Sequence, residues 1–340
     1  MECFFEDARG AINIAKFIEI VFADDLNAYR HYGKGTRNST IMKHSKQCQK
    51  NLHEWGKANR VTFEAKKESM SIISRHTPEG EGVKLLGVKF DTGLYMDEAI
   101  YNLKDKANWK LRTLLRTQKS FSTKEIMTLF KSRVLGFIEY RTPAIYHGSA
   151  TSLDQIDAVH RRLLNALSIS KEESLLEYRL APLGTRRDIG MLGVIHRSVI
   201  GEGPSQFSKF FVRTAAGSHT TGRENKRRHD KQLTTHRHGK FMDVMAHSIL
   251  GLIDIYNLLP QSVVNATTVS DFQNKLQLLV VEMATRQQEG WEQVFSLRNT
   301  LWNNTLRGTY DWCPMEIVSE DGGNGVTNLL RTNALPAWLR

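Results

Sequence analysis

The first readable pattern in the chain is a nearly uninterrupted apolar run at 17–22 (FIEIVF), which leads directly into Ala23-Asp24-Asp25 and then Leu26-Asn27-Ala28-Tyr29. A short apolar run, a polar turn and a second β-prone run predict a buried strand, a tight acidic turn and a return strand. From Ile41 onward, Cys48, Leu52 and Trp55 recur every three or four positions, the spacing of one face of an amphipathic helix that packs on a sheet. Two further strands are predicted over 70–73 and 83–90, separated by the turn signal Pro78-Glu79-Gly80.

Beyond about residue 95 the period changes from mixed to helical. One helix runs through Trp109, Leu111, Leu114 and Leu115. The next opens on Ser122-Thr123-Lys124-Glu125, where Ser and Glu can satisfy each other's backbone amides as a capping box, and carries Ile126, Leu129, Phe130 and Phe137 on one face. Leu153, Ile156, Val159, Leu163, Leu164 and Leu167 define another helix. Ser270 and Gln273 give a second capping signature, ahead of Phe272, Leu276, Leu279, Val280 and Met283. Between these helical regions, 223–240 holds seven Lys or Arg against two acids, a composition that cannot supply a core and reads as a linker.

These patterns predict an α+β protein. Its expected parts are a mixed region over 1–94, a helical region over 95–205, a basic linker over 206–240, a second helical region over 241–310 and a loose tail over 311–340. A chain of 340 residues suffices for two ordinary domains, and 40% hydrophobic with 24% charged residues is the composition of a folded globular protein. The formal charge of +11 points to a polyanionic partner, nucleic acid first, because Lys and Arg release condensed counterions from phosphates. Cys3, Cys48 and Cys313 are too few and too far apart for a disulfide framework or a paired-cysteine zinc site. With no apolar run long enough to span a bilayer, the expected setting is intracellular, in nucleus or cytoplasm, with no membrane partner.

Adjacent carboxylates on a tight turn are what a divalent cation needs, since they are hard anionic oxygen donors on fixed backbone. Phe22-Ala23-Asp24-Asp25-Leu26 resembles the F/Y-x-D-D box, motif C, of reverse transcriptases. Some forty residues on, 59–68 (NRVTFEAKKE), after a helix ending in Trp55-Gly56, is similar to motif D of that family. Next, 83–91 (VKLLGVKFD) is similar to motif E, the primer grip, of the LINE-type enzymes. The helical stretch after it resembles the thumb of non-LTR retrotransposon polymerases, and a fainter resemblance extends to the helix near 270–297 with Trp291 and Phe295.

The resemblance implies the C-terminal half of a polymerase palm followed by a thumb. It implies Asp24 and Asp25 as catalytic ligands of Mg²⁺ or Mn²⁺, Lys67 as the general acid for pyrophosphate with Lys66 as its rival, and Leu86 and Gly87 at the primer grip, where glycine would let backbone approach backbone. Lys110, Arg112, Arg116 and Lys119 would contact nucleic acid, and between Trp109 and Arg141 eight Lys or Arg stand against Glu125 and Glu139. The implied partners are an RNA template with a DNA primer, and deoxynucleoside triphosphates.

Phe4-Phe5-Glu6-Asp7-Ala8 resembles the helix after motif B, so the motif A carboxylate and the fingers are expected to be missing and the chain to be inactive alone. Two alternatives stand beside this one: a non-catalytic nucleic-acid-binding remnant, and the palm of a viral RNA-dependent RNA polymerase, whose box carries Gly where this chain has Ala23. Gly33-Lys34-Gly35-Thr36 lacks the frame of a phosphate loop. His229, His236 and His238 lie among Arg and Lys without acidic company and read as part of a basic loop.

Overall fold

A computed structural model describes residues 6–23, 25–33, 35–64, 66–214, 229–235, 242–296 and 306. The chain divides after Met96 into two compact units, 1–96 and 97–340. Both helix and strand are present, and the strands form two small antiparallel sheets, so the chain is α+β.

In the first unit, α1 (Glu6–Ile14) is followed by a hairpin of β1 (Ile18–Phe22) and β2 (Asp25–Tyr29), then by α2 (Asn38–Ala58). The hairpin pairs Ile18 with Tyr29 and Phe22 with Asp25. Strand residues alternate between faces, and here Glu19, Val21 and Leu26 are the half-buried set, while Ile18, Ile20 and Phe22 are 48%, 44% and 60% exposed. The apolar run therefore does not make a strand covered on both faces. Leu26 packs on the small core of Ile12, Phe17 and Cys48, joined by Ala15 and Leu52 from α1, the turn after it and α2. Burial pushes the Cys48 thiol pKa up, which makes it an inert packing residue.

The strand expected over 83–90 is instead a second hairpin, β3 (Val83–Leu85) with β4 (Val88–Phe90), turning at Leu86 and Gly87. Residues 70–73 contribute a single bridge, Ile72 to Glu79, rather than a strand. After β4, Asp91 accepts hydrogen bonds from the backbone amides of Gly93, Tyr95 and Met96, at 3.0, 3.0 and 2.6 Å. Burial alone would raise its carboxyl pKa, but these donors hold it below the ordinary value.

The second unit is helical. Its first half contains α3 (Asp97–Arg116), α4 (Thr123–Phe130), a π-helical turn (Lys131–Leu135), α5 (Gly136–Glu139), α6 (Thr142–Ile145), α7 (Ala150–Leu167), α8 (Lys171–Leu176) and α9 (Leu183–Val199). Among the described residues α10 (Met242–His247), α11 (Leu252–Leu258), α12 (Gln261–Val264) and α13 (Val269–Thr285) follow. Helix α3 packs along α7, and α9 packs along α13 and α11. The expected capping box at Ser122 and Glu125 is present. A second one, with the same spacing, stands at Ser170 and Glu173. The signature at Ser270 and Gln273 is not a cap: Thr268 caps α13 by accepting from the Asp271 amide at 3.1 Å, and Gln273 is fully buried.

Tyr256, Phe272, Phe295 and Leu192 share one core in this unit with Tyr146, Phe211, Leu233 and Leu306. Leu233 belongs to the basic stretch expected to be a linker, and so does His229, which is 3% exposed. That stretch is anchored: Thr234 donates its amide to Val212 O, and Asn257 brackets Leu233 through both its amide and its carbonyl. His196 is wholly buried, stacked on Phe272 at 4.1 Å. Its Nε2 lies 3.0 Å from Ala266 O and its Nδ1 3.0 Å from the Tyr256 hydroxyl. A carbonyl can only accept, so Nε2 carries the proton and Nδ1 accepts from Tyr256. Among the described residues no helix is long and apolar enough to cross a membrane.

Candidate metal centre and nucleic-acid face

The hairpin tip of the first unit is built by pairing. Phe22 and Asp25 face each other across a two-residue turn whose first member, Ala23, has φ +53°. Primed turns of this kind match the right-handed twist of the strands they join and need positive φ. Asp24, the second turn residue, lies outside the described residues. Asp25 is exposed and shares the open face with Phe22, Ile20 and Asn27, opposite to the face packed on the helices. Among the described residues its carboxylate has no hydrogen bond or ion pair to occupy it.

An exposed carboxylate on a stiff hairpin fits one position in the oxygen shell of Mg²⁺ or Mn²⁺. Among the described residues no group of three His, Cys, Asp or Glu converges on a point. Asp25 alone offers one donor position, and a divalent cation there would need further oxygen donors.

Helix α2 runs two residues past Trp55-Gly56, to Ala58. The Asn59 amide caps the carbonyls of Trp55 and Gly56, its side chain reaches Trp55 O at 2.9 Å, and Arg60 takes the left-handed conformation at φ +59°. The chain then folds back so that the Val61 amide meets Gly56 O at 2.8 Å. A Cβ on Gly56 would stand 2.7 Å from the Phe63 ring and 2.9 Å from Val61 O, so the reversal depends on glycine there. Glu68 ties the end of this segment to α2, accepting from Gln49 at 2.5 Å and lying 3.0 Å from His53 Nε2. Lys67, between these anchors, projects outward with its side chain 80% exposed and pairs with Glu64 at 2.8 Å. Lys66 beside it is exposed too. No hydrogen bond or ion pair among the described residues joins Lys67 to Asp25.

At the second hairpin, Leu86 (φ +47°) and Gly87 (φ +80°) form the turn itself, and Leu86 is 44% exposed. A Cβ on Gly87 would meet nothing within 4 Å, so its use is the positive φ and not a close backbone approach. The close approach is at Gly82, where a Cβ would lie 2.2 Å from Phe90 O.

The four cations expected to hold nucleic acid do not behave alike. Arg112 and Arg116, one turn apart on α3, and Lys119 in the short 3-10 turn after it, are exposed. Lys110 is half-buried, with its ammonium 5.1 Å from the centre of the Phe137 ring. Trp109, placed by its spacing with the apolar residues of this helix, lies on the opposite side and is 68% exposed. The apolar face is Ile100, Leu103, Ala107, Leu111 and Leu114.

No protein family, no curated protein and no solved structure matches the chain.

Proposed function

We propose that this chain is part of an RNA-directed DNA polymerase of the LINE-type retrotransposon class. Asp24 and Asp25 hold Mg²⁺ or Mn²⁺, and Lys67 donates a proton to the departing pyrophosphate. Leu86 and Gly87 lie near the primer terminus, and the basic side of α3 faces the template-primer duplex. The observation that carries this is the first hairpin: a two-residue turn with a positive-φ entry residue that leaves Asp25 free on the open face of a strand pair. Its support is the order of the elements after that hairpin, a long helix closed by Asn59, a Lys-bearing turn and a second hairpin with a Leu-Gly tip.

When bound at such carboxylates, the metal activates a primer 3′-hydroxyl and stabilises the charge on the leaving oxygen. The residues of the chain supply the rest. Asp25 is fixed by strand pairing, and Lys67 is presented between the Glu64 and Glu68 contacts. To act as the acid, the exposed Lys67 side chain must first leave Glu64.

The test is paramagnetic. Mn²⁺ titrated into isotope-labelled chain should broaden the amide signals around 22–26 most strongly, and Asp24→Ala with Asp25→Ala should abolish the effect. Broadening that is strongest elsewhere, or none, would overturn the metal assignment. In primer extension on poly(rA) with oligo(dT), Mg²⁺ and dTTP, the chain alone should synthesise no more than the double variant, because the donor set is incomplete without a further carboxylate.

A second reading, a nucleic-acid-binding remnant without catalysis, is favoured by the Lys67 to Glu64 ion pair, which occupies the proposed acid. It predicts salt-sensitive duplex binding that is indifferent to Mn²⁺ and to both aspartates.

A further inference from the structure

The feature of the second unit that packing leaves unexplained is the outer face of α3. Trp109 stands at its centre, 68% exposed, with Lys106 one turn before it and Arg112 and Arg116 one and two turns after it, all exposed. Positions three, four and seven apart share a side of a helix, so these four side chains form one strip. Among the described residues Lys106, Arg112 and Arg116 make no hydrogen bond or ion pair. Asp105 is the acid within the strip nearest to Trp109, and Lys104 already pairs with it at 3.6 Å.

Single exposed apolar residues are ordinary on protein surfaces. An indole is different when three unengaged cations flank it on a rigid helix. Its flat face can stack on a nucleobase, and ammonium and guanidinium groups on either side can reach the phosphates before and after that base. In a paired duplex both faces of each internal base are already stacked, so an indole must unstack a base step to insert there, whereas an unpaired base offers its face without that cost.

We propose that this face of α3 binds single-stranded nucleic acid, with Trp109 stacking on an unpaired base and Lys106, Arg112 and Arg116 holding its flanking phosphates. The proposal rests on the nucleic-acid half of the proposed function and adds to it the kind of strand that is bound and the residue that selects it. Arg112 and Arg116, which the proposed function sets on the template-primer, hold on this reading its unpaired stretch; Trp109 and Lys106 are new to that face.

The test uses the full chain in EDTA, so that metal binding at the first hairpin does not enter. Fluorescence anisotropy compares a labelled 20-nucleotide oligo(dT) with a blunt 20-base-pair duplex. Trp109→Ala should weaken oligo(dT) binding by about tenfold, in the range measured for losing one stacked base, and leave duplex binding within about twofold. Trp109→Phe, which keeps an aromatic face, should restore most of the loss. Arg112→Ala with Arg116→Ala should reduce the salt dependence of oligo(dT) binding by about two phosphate contacts.

Any of four results overturns the proposal: no binding of oligo(dT) by the unmodified chain, an effect of Trp109→Ala below twofold, an equal loss on both nucleic acids, or an unmodified chain that is dimeric by sedimentation and made monomeric by Trp109→Ala. The last would assign the face to self-association. Loss of Mn²⁺ binding at the first hairpin with oligo(dT) binding intact would strike the polymerase reading and leave this one standing.

Discussion

The two units of this chain solve the problem of burial differently. The first unit rests on a small cluster, Ile12, Phe17 and Cys48, and leaves Ile18, Ile20 and Phe22 largely open to solvent. The second surrounds Tyr256, Phe272 and Phe295 with aliphatic side chains from α9, α11, α12 and α13 and still accommodates a fully paired histidine at its centre. Five-residue strands in a lone pair are marginal in water and depend on the helices behind them. The contrast teaches where open surface and packing stability reside. The exposed Asp25, Lys67 and Leu86 sit on the thinly packed unit, whose surfaces are not used up by its own core. Among the buried polar groups of the other unit, His196 is bonded through both ring nitrogens and Arg187 pairs with Asp157 at 2.6 and 2.9 Å.

The sharpest way to break that comparison is to remove one ring from each core. Phe272→Ala should cost the second unit about 4 kcal/mol, because the ring is fully buried and its loss also uncovers one face of His196. Phe17→Ala should cost the first unit about 2 kcal/mol, since a small cluster beside an open sheet face can relax into the space. Hydrogen exchange resolved by region, with urea titration, reads both. Equal costs would mean that the first unit is as tightly packed as the second.

Acid should separate the units next. Burial lowers the pKa of His196 to about 4, and does the same to His160, which is 4% exposed. Both therefore fold in the neutral form. The stability this represents is complete above the unfolded value of 6.5, declines as the pH falls from there towards about 4, and changes no further below. At pH 5 each group should have cost the second unit about 2 kcal/mol. Asp91 in the first unit has its pKa lowered from 3.8, so its contribution is present above that value and is lost only as the pH falls through and below it. Thermal unfolding followed by region between pH 7 and pH 3 should show the helical unit weakening first. His196→Phe and His160→Phe together should remove most of that early loss.

Much of this was legible in the residues, and the rest was hidden for physical reasons. The hairpin at 18–29 could be read because an apolar run, an acidic pair and a second β-prone run allow few alternatives. That one of its faces is open could not, because Ile18, Ile20 and Phe22 look the same in sequence whether or not something covers them. Trp109 was readable in principle. Ile100, Leu103, Ala107, Leu111 and Leu114 keep a strict three-and-four spacing that excludes it, yet an aromatic residue two positions from a leucine is easily counted with the core. The basic stretch misled by averaging, since its composition hides two anchors, His229 and Leu233, that reach the core singly. At the candidate site, residue types and turn positions could be foreseen. Whether Asp25 and Lys67 work together could not, because it depends on contacts between segments some forty residues apart.

Asp91 offers a finer test within the first unit. Asp91→Ala removes the acceptor of three backbone amides between β4 and the end of the unit, and should cost about 1.5 kcal/mol at pH 7. The loss should shrink at pH 3, below the ordinary value of 3.8, where the unfolded carboxyl takes up a proton more readily than the native one. A cost that does not change with pH would mean that the loop is held by something other than the ionised side chain.

The smallest expected effects lie at helix starts, where the two units again differ. Ser122, Ser149, Ser170 and Thr268 each accept from a backbone amide at the head of a helix in the second unit, whereas α2 in the first starts at Arg37 with no side-chain cap. Ser122→Ala should therefore cost about 1 kcal/mol. Thr268→Ala should cost as much, while Ser270→Ala, a change at the residue that only looked like the cap, should cost almost nothing. In the first unit the direction reverses. Arg37 has the extended backbone of a cap position, φ −69° and ψ 139°, so Arg37→Ser needs no rearrangement to present a hydroxyl to the open amides of α2. That substitution should raise the stability of the first unit by about 0.5 to 1 kcal/mol, a gain visible as slower exchange of the Ser39 amide, since Thr40 and Ile41 already donate to Arg37 O. If exchange there is unchanged, the introduced hydroxyl does not reach the amide, and the start of α2 is held instead by the Asn38 side chain, which donates to Thr77 O and to the Glu79 carboxylate.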